Sequence, residues 1–456
     1  MTSVNHANAA DLQDRIGGEV LLPSSDGFDR ARAVWNAMVD RKPRLIVRCT
    51  SADDVAAAVR YGRQNDLEIA VRCGGHSVVG HAVPEDGLMI DLTPLSQVRI
   101  DPARRRAWVK GGALLGALDR ASLPHGLATT AGNVSHTGVG GLTLGGGMGW
   151  LARQHGLSCD NVVSFEVVTA DGRTVRASAA ENPDLYWGLR GGGGNFGVVT
   201  EFEFTLHPIT GRALIVDLGF SLDEASAVLR GWRDLIPTAP RAATLTAWAG
   251  VADGEPRAGV GAVWVGVPED AAPVLAELRS LGRPVAEQVR ELSYLELQQM
   301  DDDIEAHAFR RYWKGHYFRE LPDAVLDAFI ARGTSDGHGD LLPMASMQAY
   351  GGAIADVADE ATAFSHRDTL VEFVAAAKWT DPSEDEARIA AARRYGATLA
   401  PYASGAYINV LSDEGSMGVQ RAYSPAKLAK LTALKDAWDP DNVFHLNHNI
   451  PGGRPT

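Results

Sequence analysis

The 456 residues suffice for two or three domains, and a 45% hydrophobic content is that of a globular chain, not a disordered one. A formal net charge of −14 excludes nucleic acid or an anionic membrane as main partner, since both demand clustered Lys and Arg; Arg104-Arg105-Arg106 reads as a short solvated turn. Cys49, Cys73 and Cys159 form neither a disulfide framework nor a zinc pattern, residues 1–15 lack the basic start and apolar run of a signal peptide, and no apolar run approaches the roughly 20 residues of a membrane span, so a cytoplasmic protein is expected.

In chain order, Ser51 is the expected N-cap of a helix of about three turns, with Asp53 and Asp54 in its first turn and Val55, Val59 and Tyr61 before Gly62. Residues 68–72 then read as a strand that delivers the chain into Arg72-Cys73-Gly74-Gly75-His76-Ser77. Leu88, Ile90 and Leu92 alternate as a further strand, which completes an α+β unit of about residues 1–95. A second α+β unit, 96–209, contains a short strand at 107–110. It also holds a hairpin of 165–169 and 174–177, turned at Asp171-Gly172 where the pair supplies positive φ. Beyond 210 the glycine clusters stop, and helical runs rich in Ala, Leu, Glu and Arg alternate with strand-like pieces such as 258–267. Residues 210–400 are therefore expected to form a separate domain, followed by a C-terminal segment, 401–456.

Three glycine clusters punctuate the first 209 residues: the loop at 74–77, Gly138-Val139-Gly140-Gly141-Leu142-Thr143-Leu144-Gly145-Gly146-Gly147-Met148-Gly149, and Gly191-Gly192-Gly193-Gly194-Asn195-Phe196-Gly197. Glycine loses more backbone freedom on folding than any other residue, so such density implies backbone that approaches a ligand closely or takes positive φ. A dinucleotide with its pyrophosphate is the natural guest. The G-x-G-x-x-G spacing of Gly192, Gly194 and Gly197 is not a Rossmann turn, because it runs into an alternating strand at 198–206 and not into a helix.

With Asp439-Pro440-Asp441-Asn442-Val443-Phe444 and His445-Leu446-Asn447-His448-Asn449 near the end, this ordered set resembles the flavin oxidases of the vanillyl-alcohol oxidase superfamily, in the berberine-bridge-enzyme-like branch that includes the hydroxynicotine oxidases. The resemblance implies an α+β fold in which two subdomains clasp FAD, an antiparallel sheet flanked by helices covers the isoalloxazine, and the C-terminal segment returns to the FAD domain. It implies a cofactor wall from Arg72, Gly74, Gly75, His76, Ser77 and Gly80. The second cluster would add Val134, Thr137, Gly138, Gly141, Gly145, Gly146 and Gly149, and the third Asn195, Gly197 and Val199, with Asn447 and Asn449 from the terminal segment.

By the same resemblance His76 is bonded to the flavin 8α-methyl group. Val134 stands where some relatives carry a second linking cysteine, so a single link is expected. Cys73 reads as a small buried side chain. Thr137 occupies the position that influences oxygen access, and its size, close to valine, favours an oxidase that yields hydrogen peroxide.

An alcohol or phenol donor needs a base. Val410, in Tyr407-Ile408-Asn409-Val410, replaces the tyrosine base of plant relatives. Glu372 is the alternative, on a strand that matches a family glutamate; it reads either as a desolvated base or as a solvent-facing strand residue. Asn409 reads as a substrate-orienting amide or as a structural one. Tyr350, Trp313 and Tyr317 read as pocket lining or as core. His445 and His448 lack the partners of a metal site, and none is expected. The competing functions are a flavin-dependent dehydrogenase, a flavin-holding protein without turnover, and an NAD-dependent dehydrogenase; the small-molecule substrate is not legible.

Overall fold

The computed structural model describes residues 6–252, 254–332 and 342–453. Its first sheet orders the strands Glu19–Leu21, Leu45–Arg48, Leu88–Asp91 and Ile69–Arg72, the last three mutually parallel. Parallel strands need a crossover, and the helix Ala52–Gln64 supplies it between Leu45–Arg48 and Ile69–Arg72, which flank Leu88–Asp91 on either side. Its start is set as expected: the Ser51 hydroxyl accepts from the Asp54 N–H, and Asp53 and Asp54 sit at the positive end of the helix dipole. Because Leu88–Asp91 lies between two parallel neighbours, all four of its residues are buried.

The second sheet is antiparallel, in the order Val98–Asp101, Arg106–Lys110, Val198–Thr205, Val162–Val168 and Thr174–Ser178. Gly172 makes the hairpin turn at φ 77°. The third glycine cluster enters the central strand Val198–Thr205 directly, so its backbone is fixed by two neighbouring strands and not by a helix.

The third sheet has seven antiparallel strands, ordered Ala286–Ser293, Arg212–Ser221, Glu255–Val265, Ala243–Ala252, Met344–Ala349, Val371–Trp379 and Arg310–Phe318. Side chains alternate across a strand, and here the alternation separates two environments. Val371, Phe373 and Ala375 join a core with Trp232, Leu278, Phe329 and Leu399 from the helices Leu222–Leu235, Ala272–Arg279, Asp323–Ala331 and Asp385–Leu399. Glu372, Val374 and Ala376 face the other way, into a cavity.

The helix Pro425–Trp438 carries the chain back to the first two sheets. At its end Lys435 Nζ lies 2.7 Å from Asp439 Oδ2, both side chains fully buried. The ammonium also donates to the Asn195 and Phe444 carbonyls at 2.8 and 3.0 Å, and Asp439 accepts from the backbone N–H groups of Val443 and Phe444. A buried ion pair is tolerated where its remaining donors and acceptors are satisfied, as they are here. Phe444 packs with Val55, Val59 and Ile90, which seats the terminal segment on the first unit. Among the described residues no helix is long and apolar enough to cross a membrane.

Candidate functional site

The three glycine clusters, the terminal segment and the cavity face of the large sheet enclose one cavity of about 590 Å³. Cys73 to Ser77 forms one wall, and a close backbone approach brings it to the second cluster: a Cβ on Gly74 would strike the Gly138 amide, and one on Gly138 would strike Gly74 and Cys73. Gly141 and Gly194 instead face open space, with nothing within 4 Å of a Cβ built there.

Of the residues expected to hold the cofactor, Gly74, Gly75, His76, Ser77, Val134, Thr137, Gly138, Gly141, Asn195, Gly197, Val199 and Asn447 line this cavity. The remaining six stand behind it. The Arg72 guanidinium donates to the Ala31 carbonyl. Gly80 is pressed against Val39, Gly145 against the Asn409 amide, Gly146 against Phe364 and Tyr407, and Gly149 against the Ala131 carbonyl. At these four glycines an added side chain would meet protein atoms. Asn449 is also off the wall, although its Oδ1, like Asn447 Oδ1 and His81 Nε2, is buried without a partner in the protein. Such orphaned atoms carry a desolvation cost that a polar ligand relieves.

His76 packs face to face on Trp35, ring centroids 4.8 Å apart and planes 15° from parallel. Burial, and then the neighbouring His136, His307 and Arg311, hold its pKa well below the usual value, so the imidazole is neutral. His76 Nε2 and His136 Nδ1 are 2.7 Å apart, and the ring nitrogens of His76, His136 and His307 all lie within 4.8 Å of one another. These three residues are scattered along the chain, so no spacing rule reveals them.

Across the cavity stands Glu372, 7% exposed and in register with Gln348 and Tyr317 on the flanking strands. Burial pushes its carboxyl up to about 7, although a hydrogen bond from the Tyr350 hydroxyl to Oε2 at 2.7 Å opposes the rise. The solvent-facing reading of Glu372 does not hold. Tyr350 is 1% exposed and sits behind the carboxylate, off the cavity wall, and reaches the cavity only through its hydrogen bond to Glu372. Tyr317 belongs to the same buried layer, its hydroxyl 3.2 Å from that of Tyr350, whereas Trp313 does line the cavity.

Asn409 also lines the cavity, but its Nδ2 donates to the Leu142 carbonyl and the Tyr407 hydroxyl. The Tyr407 hydroxyl in turn accepts from the Gly147 N–H. This amide ties the second glycine cluster to the terminal segment. Val410 contributes a methyl-lined wall, and burial raises the Cys73 thiol to about 11. Sequence reasoning passed over Trp35, His81, Gln348, Asp301, Glu305 and His448 as lining residues. His81 directly follows Gly80 of the first loop, whereas Trp35, Asp301, Glu305, Gln348 and His448 lie outside the glycine clusters.

Comparison with known proteins gives the same picture from another direction. Residues 43–178 match the model of the FAD binding domain family, and residues 406–451 that of the berberine and berberine-like family. The chain is 32% identical over 454 residues to (R)-6-hydroxynicotine oxidase of Paenarthrobacter nicotinovorans, covering 95% of this chain and 97% of that one. It is 40% identical over 183 residues to glucooligosaccharide oxidase of Sarocladium strictum, covering 40% of this chain and 36% of that one. The crystal structure of 6-hydroxy-D-nicotine oxidase from Arthrobacter nicotinovorans superposes with a TM-score of 0.86 at 30% identity, covering 95% and 98% of the two chains. The chain belongs to the berberine-bridge-enzyme-like family of FAD-linked oxidoreductases.

Proposed function

We propose that the protein oxidises a C–OH or C–N bond of a small molecule, passing a hydride to FAD held covalently through His76, with molecular oxygen as the reoxidant and hydrogen peroxide as product. One observation carries the reading: a neutral, buried histidine on a glycine loop and a buried carboxylate, with no cation beside it among the described residues, face the same cavity. In this reading residues 1–209 and the returning segment 401–456 hold the FAD, and 210–400 cover its reacting edge. The room over Gly141 and Gly194 and the orphaned oxygen atoms of Asn447 and Asn449 fit a bulky, polar cofactor.

FAD, when bound, supplies the two-electron acceptor. This chain supplies the proton handling. Glu372 Oε2 is held by Tyr350, which leaves Oε1 to take the proton of a substrate hydroxyl as hydride leaves the adjacent carbon. Glu372 thereby does the work that a tyrosine at position 410 would do. Trp313, Val374, Ala376 and Val410 exclude water from the reacting carbon, and Gln348 offers an amide to orient the donor. By their names the two relatives described above act on hydroxynicotine and on glucooligosaccharides, and the proposed class spans both kinds of donor. Thr137 lines the cavity, and its size, close to the valine that goes with oxidases at this position, supports oxygen as the second substrate. Three unpaired cysteines support a cytoplasmic setting.

The test is anaerobic mixing of the yellow protein with a panel of alcohols, sugars and cyclic amines. A true donor bleaches the flavin, and admitting air restores the colour with release of peroxide. A panel in which nothing bleaches the flavin would leave a flavin-holding protein without turnover.

A further inference from the structure

The His76–His136 contact joins two loops that are 60 positions apart, at an N···N distance of 2.7 Å, so one proton lies between the rings. Its place follows from the far side of His136. His136 Nε2 lies 3.3 Å from the backbone carbonyl of Asp302, and a carbonyl oxygen only accepts. The His136 proton is therefore on Nε2, its Nδ1 offers a lone pair, and the His76 proton is on Nε2. That leaves the lone pair of His76 on Nδ1, faced by the Thr137 hydroxyl at 3.3 Å.

The relay is braced at both ends. The Asp302 carboxylate accepts from the Ser135 N–H at 2.9 Å and the Ser135 hydroxyl at 2.6 Å, which fixes the loop that carries His136. Trp35 covers one face of His76 and is itself covered by the Arg311 guanidinium, 3.9 Å from the ring centroid. Trp35 Nε1 donates to the Glu305 carbonyl, and the His307 ring meets His76 edge-on. Neither is placed to take a proton from His76 Nε2.

We propose that His136 is the positioning residue for flavin attachment: it sets the His76 tautomer whose Nδ1 is nucleophilic and accepts the Nε2 proton as the new bond forms. This rests on the covalent reading given above. In the balanced step, His76 Nδ1 bonds to the 8α carbon, that carbon loses one hydrogen as a proton, and His76 Nε2 passes its proton to His136 Nδ1. The electron pair released from the broken C–H bond enters the isoalloxazine. Molecular oxygen removes that pair and the two protons as hydrogen peroxide.

The experiment starts from full-length apoprotein made under riboflavin limitation, as wild type, His136→Ala and His136→Asn, each mixed with FAD in air. Non-covalent binding is read from flavin fluorescence quenching, and attachment from flavin retained after acid denaturation and from intact mass. All three proteins are expected to bind FAD. His136→Ala should attach it at least about tenfold more slowly, the cautious side of what a positioned base contributes, and added imidazole should speed it. His136→Asn, whose side-chain oxygen replaces Nδ1 as acceptor without its basicity, should fall between. If His136→Ala does not fold, His136→Asn against wild type decides. Attachment at the wild-type rate in a folded variant overturns the proposal, and so does slow attachment that neither imidazole nor the Asn variant improves. A wild type that sheds all its flavin on denaturation overturns the covalent reading as well, which separates the two failures.

Discussion

The Tyr350 hydroxyl donates to Glu372 Oε2 at 2.7 Å from a position just beyond the strand Met344–Ala349, where the chain leaves the sheet and its side chain turns under the neighbouring strand. The carboxylate therefore has one oxygen committed to the protein, and the residue itself lines the cavity. Its proton affinity is set by burial against this one hydrogen bond.

With an alcohol donor, flavin reduction in the wild type should rise with pH and level off above about 7, where Glu372 is ionised. Glu372→Gln keeps the shape and removes the basicity, so reduction should slow by about 10²-fold or more and lose that inflection. Stopped-flow absorbance under anaerobic conditions reads both. A neutral amine donor should be affected less, because no proton has to leave before hydride transfer.

Tyr350→Phe removes the hydrogen bond that, among the described residues, stabilises the ionised carboxylate. The midpoint of the pH profile should move upward while the plateau rate at high pH is largely kept. An unchanged midpoint would show that the phenol does not set the charge of Glu372.

The rise of Glu372 from 4.5 to about 7 is worth about 3 kcal/mol. A raised native pKa contributes stability that is fully present below 4.5 and lost as pH climbs through 7. Glu372→Gln is free of that loss, so its melting temperature should exceed that of the wild type at pH 8 and match it at pH 4.5. Calorimetry at the two pH values checks the sign.

His76→Ala should release the yellow colour into the supernatant on acid precipitation, whereas the wild-type pellet stays yellow. Val134→Cys, on the same cavity wall, should add a second flavin-modified peptide in tryptic maps; the wild type should show one.

Asp439→Ala strands a fully buried ammonium and two backbone N–H groups. Loss of one partner of a buried pair costs about 3–5 kcal/mol. Denaturant titration should show it, together with weakened FAD binding, because the segment that carries Phe444 to Ile450 loses its anchor.

What was legible in the sequence was local. Asp-Gly made its turn at Gly172, Ser51 capped its helix, and the third glycine cluster ran into a strand, because neighbouring residues decide each of these. Glu372 was placed on the right strand, but the sequence left its face open. The face is fixed by Phe373, which packs with Phe329 and Tyr395 and so sends its neighbour to the cavity. Gly145, Gly146 and Gly149 show why a glycine cluster alone is ambiguous: close packing and ligand approach call for the same residue, and each of the three has protein atoms where a Cβ would sit. The His76–His136 pair and the placing of Tyr350 behind Glu372 depend on loops that meet only in the folded molecule.

The Asn195 amide gives that dependence a temporal meaning. Its Oδ1 accepts from the Ile450 N–H at 3.0 Å, and its backbone carbonyl takes the Lys435 ammonium. Phe444, Leu446, Asn447 and His448 then complete the cavity around a histidine that leaves the ribosome far earlier. The cavity wall is thus complete only when residues 444–448 are in place, so a chain stopped before them is expected to lack part of the wall.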